Sequence, residues 1–314
     1  MLTMQNLVIL DFGSNSTRLS INEVQANVST FKEVFRTKEM TRMAEGMGQE
    51  KNRQLQPQAI ERTLDAVRKF KEIYSQYENV KIKAIATAAV RAASNAQEFI
   101  DQVKQITGAT IEVLSGDTEA YYDYVGVTHY LNLKDAIIVD MGGGSFEVIL
   151  MKDGKDEHLI SIQHGAVSLS EKFNAHDKIL AKDLFEFQNY LQALFDEKLS
   201  WLKDGHDLPL VLLGGATRTV ARKKIGTLHT EEKSIHELKI MRDEIFTIYQ
   251  NWLAMNKQER KQDLGSEASR ADIIIGGLTP IIEIMRRCHC PYVTFSESGV
   301  REGLLFEMLE TNSN

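Results

Sequence analysis

Apolar and polar positions along the chain change period repeatedly, and those changes divide it into short strands and longer helices. Residues 7–11 (Leu-Val-Ile-Leu-Asp) form an apolar run ending in a carboxylate, followed by a Ser14-Asn15-Ser16 turn. The alternation resumes over 17–23 and again over 28–36, which predicts three consecutive strands. Pro57 then opens a stretch whose apolar residues, Ile60, Leu64, Val67, Phe70 and Ile73, recur at helical spacing. A strand over 80–86, a helix near 94–105, a strand over 110–114 and a helix near 118–131 follow. From residue 136 the same opening returns. Residues 136–140 are apolar and end in Asp140, Gly142-Gly143-Gly144-Ser145 makes the turn, and strands are expected over 146–151 and 158–162. Helices over 182–202 and 235–253, a strand over 209–213 between them, a helix near 267–287, a strand over 291–295 and a helix over 300–309 complete the reading. The four prolines are expected near element starts.

The two openings match. Asp11-Phe-Gly-Ser-Asn-Ser and Asp140-Met-Gly-Gly-Gly-Ser both read Asp-x-Gly-x-x-Ser after an apolar strand, 140 − 11 = 129 positions apart. A duplicated domain carrying two facing hairpins is the economical explanation. The expected division is 1–128 and 129–299, with a C-terminal helix over 300–314 packing back on the first domain.

Composition narrows the class. The chain has 314 residues, 43% hydrophobic and 26% charged, with no apolar run approaching the length of a membrane span. Its start lacks a basic leader and a small-residue cleavage site, and its two cysteines cannot build a disulfide framework, so a cytoplasmic location is expected. A net charge of −7 argues against a nucleic-acid coat or a membrane-surface binder, although a local basic cleft could still hold an anion.

The Asp-then-Gly/Ser hairpins are suited to phosphate. Glycine lets the backbone approach closely and aim N–H groups at an anion, serine adds a hydroxyl donor, and the strand-end Asp can hold Mg²⁺. Gly13, Ser14, Asn15 and Ser16 form one candidate cradle, and Gly142, Gly143, Gly144 and Ser145 the other.

These residues belong to seven blocks in order that resemble the exopolyphosphatase/guanosine pentaphosphate phosphohydrolase family, within the sugar kinase–Hsp70–actin superfamily. The blocks begin at Asp11, Met43, Ala86-Thr-Ala-Ala-Val-Arg91, Ser115-Gly-Asp-Thr-Glu-Ala120, Asp140 and Gly214-Gly-Ala-Thr-Arg218, and Ser298-Gly-Val-Arg-Glu-Gly303 closes the set. The resemblance implies two related actin-like, ribonuclease H-like α/β domains, mixed sheets flanked by helices, with the active site in the cleft between them. It implies Glu119 as general base, Arg91 on the phosphates, and Asp11, Asp140 and Glu147 as acidic positions for Mg²⁺ or Mn²⁺. Thr17 stands where an aromatic is usual, Ser168 replaces a common arginine, and the helical HD-type domain of longer members is not expected in a chain of this length. Arg18 occupies the position of the family's loop arginine, and Arg222, Lys223 and Lys224 could guide an anion or simply line a solvated helix face.

The expected activity is exopolyphosphatase, with guanosine pentaphosphate 5′-phosphohydrolase, an ATP-dependent small-molecule kinase and a non-catalytic ppGpp or polyphosphate sensor as alternatives. Expected partners are polyphosphate or a phosphorylated guanine nucleotide, with neither nucleic acid nor membrane; a homodimer is an open option. The protein-kinase, Walker-type and zinc-finger lookalikes fail for want of their companion residues. Cys288-His289-Cys290 is too short for a zinc site, and His206-Asp207 is an isolated dipeptide.

Overall fold

The computed structural model of the protein describes residues 4–25, 30–48, 52–227 and 234–311. It divides into two compact units, Met1–Gly126 with Val300–Asn314, and Val127–Gly299.

In the first unit, β1 (Met4–Phe12), β2 (Thr17–Gln25) and β3 (Phe31–Glu39) form an antiparallel meander. Residues 28–29 of the expected third strand lie outside the described residues. Helix α1 (Pro57–Tyr74) begins with proline at its first turn and buries Ile60, Leu64, Val67 and Phe70, the face its spacing dictates. Strand β4 (Val80–Ala86) runs parallel to β1, and after the short helix α2 (Ala88–Ala92) and α3 (Ala96–Thr107), β5 (Ile111–Val113) runs parallel to β4. The sheet order is β3-β2-β1-β4-β5. Helix α4 (Gly116–Tyr130) follows, and the boundary between the units falls within it.

The second unit repeats the plan. The meander is β6 (Ala136–Met141), β7 (Phe146–Lys152) and β8 (Lys155–Ile162). Helices α5 (Ala166–Lys172) and α6 (Ala181–Lys198) lead to β9 (Leu210–Gly214), parallel to β6. Then come α7 (Gly215–Thr227), β10 (Lys239–Met241), α8 (Arg242–Ala254), α9 (Lys257–Leu264), α10 (Ile274–Arg287) and β11 (Tyr292–Phe295), the last parallel to β9. The order β8-β7-β6-β9-β11 reproduces that of the first sheet with the same strand senses, and β10 adds an antiparallel edge. Both sheets are therefore mixed and flanked by helices, an α/β fold with an internal repeat. Helix α11 (Val300–Thr311) returns to the first unit, where Leu304 and Leu305 are buried against Leu7, Ile9, Ile85, Leu114 and Tyr122. Residues 312–314 of the expected final helix lie outside the described residues.

Several expectations change. The helix expected over 235–253 is a strand, β10, turning directly into α8, because residues 239–241 pair with β11. The helix expected over 182–202 stops at Lys198 and continues as a 3₁₀ turn, Ser200–Gly205. Another 3₁₀ turn, Gly265–Arg270, precedes α10. Pro280 lies inside α10 rather than at an element start. Helices α2 and α5 are one or two turns long, too short to show a period.

Candidate functional site

In the first unit the parallel strands β1, β4 and β5 lie side by side, so their carboxyl ends deliver three segments to one edge. This is where open α/β sheets hold ligands. From β1 come Asp11 and the Gly13–Ser16 turn, closed by Gly13 N–H donating to Ser16 O at 3.1 Å. A Cβ on Gly13 would sit 3.0 Å from that same carbonyl, so the turn needs glycine here. The carbonyls of Ser14 and Asn15 are turned away, accepting from Ala44 N–H (2.8 Å) and Arg42 N–H (3.0 Å). Neither carbonyl dipole then opposes an anion at the loop. The Ser14 hydroxyl is buried and makes no hydrogen bond among the described residues, which leaves it as a donor for a ligand.

From β4 comes Arg91, on α2. Its Nη1 donates to Leu114 O at 2.9 Å and to Glu119 Oε2 at 3.0 Å, while its Nη2 is buried without a partner among the described residues. From β5 comes Glu119, in the first turn of α4. Ser115 caps that helix, its Oγ accepting from Thr118 N–H at 3.0 Å. Glu119 is buried, so the expected base and the expected phosphate arginine are an ion pair at the end of the sheet. Asp11, also buried, faces two cations: Arg18 Nη1 at 3.3 Å and Arg301 Nε at 4.0 Å from Oδ2. Burial alone would lower the Arg301 guanidinium, but Glu302, Asp11 and Glu33 together hold it above its usual value. Arg301 was not among the expected site residues. Its signal was present, as the arginine of the Ser298–Gly303 block, but its nearness to Asp11 depends on α11 returning to the first unit.

The second unit arranges its own residues on the same plan. Asp140 and Glu147 are directly opposed in the β6–β7 register, and their carboxylate oxygens lie within 4.8 Å of each other. Glu147 is 1% exposed, and Ser161 Oγ donates to its Oε1 at 2.7 Å. Like charges directly across a sheet repel, and a divalent cation with oxygen ligands offsets that repulsion, so these residues fit Mg²⁺ or Mn²⁺. In the Gly142–Ser145 turn, the carbonyls of Gly142 and Gly143 accept from Ala166 and Val167 N–H, both at 2.9 Å. Those donors belong to the first turn of α5. Ser168 has a local role, its Oγ accepting from Gly165 N–H at 2.9 Å. Beside this turn, at the end of β9, Gly214 adopts φ +92 and leads into α7, where Arg218 Nη2 donates to the carbonyls of Ser296 and Glu297. The basic run that could have guided an anion is engaged elsewhere: Arg222 pairs with Glu267 (2.6 Å), Lys223 with Asp263 (2.7 Å) and Lys224 with Glu244 (2.5 Å).

Comparison with known proteins adds the following. The family model of the Ppx/GppA phosphatase family matches residues 20–312. A bifunctional 3-dehydroquinate synthase/phosphatase of Fusobacterium nucleatum is 32% identical over 96% of this chain, and the chain spans only 46% of that protein. Among solved structures, an exopolyphosphatase from Cytophaga hutchinsonii is 25% identical with a TM-score of 0.87, covering 98% of both chains. The Aquifex aeolicus member of the Ppx/GppA protein family, 24% identical with a TM-score of 0.78 over 99% of this chain and all of its own, shares the fold.

Proposed function

Since the chain belongs to the Ppx/GppA phosphatase family, we propose that it is an exopolyphosphatase, releasing the terminal phosphate of inorganic polyphosphate by attack of water. The observation that carries this reading is the buried Glu119–Arg91 pair, delivered with the Gly13–Ser16 loop to the carboxyl ends of one set of parallel strands.

Phosphoryl transfer demands mainly positioning and charge neutralisation. In the proposed reaction the water oxygen attacks the terminal phosphorus, and the anhydride bond to the bridging oxygen breaks. The shortened chain departs carrying that oxygen, and Glu119 accepts the water proton. Arg91, whose Nη2 makes no hydrogen bond among the described residues, and the Ser14 hydroxyl donate to phosphoryl oxygens. Backbone N–H groups of the Gly13–Ser16 turn add further donors. In the second unit Asp140 and Glu147 would hold a divalent cation, and the chemistry it would supply is neutralisation of phosphate charge. Asp11 serves through Arg18 and Arg301, as a carboxylate that fixes two guanidinium groups beside the loop.

The name of the Cytophaga relative supports polyphosphate, whereas that of the Fusobacterium relative specifies a phosphatase without its phosphorylated substrate. The test is orthophosphate release from polyphosphate, guanosine pentaphosphate and ATP, with Mg²⁺ or Mn²⁺ and no acceptor. Polyphosphate is expected to be the best substrate. Faster release from the nucleotides would overturn the substrate assignment. Turnover only with an added hydroxyl acceptor would overturn hydrolysis itself.

A further inference from the structure

Two short motifs that look idle in the sequence meet in the second unit. His206 and Asp207 lie in the connector before β9, four residues ahead of Leu210 (210 − 206), and His289 lies in the connector before β11, three residues ahead of Tyr292 (292 − 289). Since β9 and β11 are parallel neighbours, the two connectors emerge together at the amino ends of these strands. That is the end of the sheet away from Asp140 and Gly214. Asp207 N–H donates to Cys288 O at 2.7 Å, which pins one connector to the other.

The side chains converge as well. The imidazole rings of His206 and His289 have centroids 4.3 Å apart, and His206 Nδ1 lies 3.0 Å from Asp207 Oδ2. One ligand atom from each of the three residues falls within 4.8 Å of the other two, and all three residues are exposed. A surface ion pair accounts for His206 and Asp207 but not for a second imidazole tilted against the first at 48°, which would repel it whenever both carried charge. The flanking thiols are not part of the group. Cys288 and Cys290 are fully buried in the core, with Cys288 Sγ directed at Leu202 O at 3.4 Å.

We infer that His206, Asp207 and His289 form a binding site for a late first-row divalent metal ion such as Zn²⁺, separate from the Asp140–Glu147 pair. Two imidazoles and one carboxylate favour Zn²⁺, Ni²⁺ or Cu²⁺ over Mg²⁺, which selects oxygen ligands and keeps its waters. Ligation would join chain segments 289 − 206 = 83 residues apart, and so staple the connectors of β9 and β11 to each other.

The test is Zn²⁺ titration by calorimetry of chelator-treated full-length protein, with excess Mg²⁺ present to occupy the carboxylate pair. Wild type, His206→Gln, His289→Asn and Cys288→Ser/Cys290→Ser are compared, each checked for an intact fold by circular dichroism. Asparagine is chosen at 289 because His289 sits at φ +53, a conformation it tolerates. One equivalent of Zn²⁺ should bind wild type and raise its melting temperature. Each histidine variant should weaken that binding by at least about tenfold, while the serine variant should bind as wild type does. Unchanged binding in the histidine variants, uptake only at millimolar Zn²⁺, or loss in the serine variant alone would each overturn the assignment. If His289→Asn is poorly folded, His206→Gln decides by itself.

Discussion

Arg260 in α9 is fully buried, and no described carboxylate bonds to it directly. Instead Nε donates to Ala271 O (2.7 Å), Nη1 to Met255 O (2.8 Å), and Nη2 to His176 O (3.2 Å) and Asp177 O (3.1 Å). One guanidinium therefore gathers three separate loops, and burial pulls its pKa down despite the charges of Asp177 and Asp272. Arg260→Met keeps much of the side-chain volume and removes all four bonds. The Ala271 carbonyl belongs to a fully buried residue and should lose about 1–3 kcal/mol, and the other three, nearer water, about 0.5–1 kcal/mol each. Relief of the guanidinium's own desolvation offsets part of this sum. The net expectation is about 3 kcal/mol, or a fall in melting temperature of about 6–12 °C for a unit of this size. Both tryptophans, Trp201 and Trp252, lie in the second unit, so their fluorescence reports its unfolding without contribution from the first. A urea titration followed by that signal measures the change. If Arg260→Met costs less than about 1 kcal/mol, or stabilises, desolvation rather than carbonyl satisfaction dominates at this site and the reasoning fails.

Other substitutions test the catalytic assignments and the fold. Glu119→Gln should lower kcat by about 10²–10⁴-fold with little change in the affinity for a non-hydrolysable polyphosphate analogue; retention of turnover would remove Glu119 from the mechanism. Gly165→Ala places a Cβ 2.5 Å from Gly143 C and 2.6 Å from Gly144 N, so the Gly142–Ser145 turn must move. The expected cost is about 1–3 kcal/mol with a raised KM, and unchanged kinetics would show that this turn does not contact substrate. Burial pushes the Tyr249 phenol up to about 12, with Glu283 adding to the shift and the Thr279 hydrogen bond opposing it. Because the folded state holds this proton more tightly, its stabilisation is complete below about pH 10 and lost as pH rises toward 12, on the order of 3 kcal/mol. Tyr249→Phe should flatten the alkaline arm of the stability curve. An arm of unchanged slope would assign it to other groups.

Much of this was legible from local pattern. The apolar runs ending in Asp11 and Asp140, each followed by a Gly/Ser turn, are set by residues within about ten positions of one another, and β1, β2, β6 and β7 form there. Helix α1 and strand β4 begin where proline and the change of period place them. What was not legible depends on distant pairing. Residues 239–241 have no strand character apart from β11, and Arg301 meets Asp11 only after the chain has passed through the whole second unit. The same is true of His206 and His289, which look idle because their partners are remote in sequence. Arg222, Lys223 and Lys224 read as an available basic run until Glu267, Asp263 and Glu244 are placed beside them.

The return of α11 to the first unit also dictates an order of events during synthesis. Leu304 and Leu305 leave the ribosome only after residues 127–299 have emerged, so Leu7 and Ile9 wait without their final cover while the intervening unit, contiguous in the chain, can complete its own core. Until Arg301 arrives, Asp11 has Arg18 beside it but lacks its second guanidinium. The nascent chain thus holds the Gly13–Ser16 loop without Arg301, and α11, made after the second unit, finishes a unit begun before it.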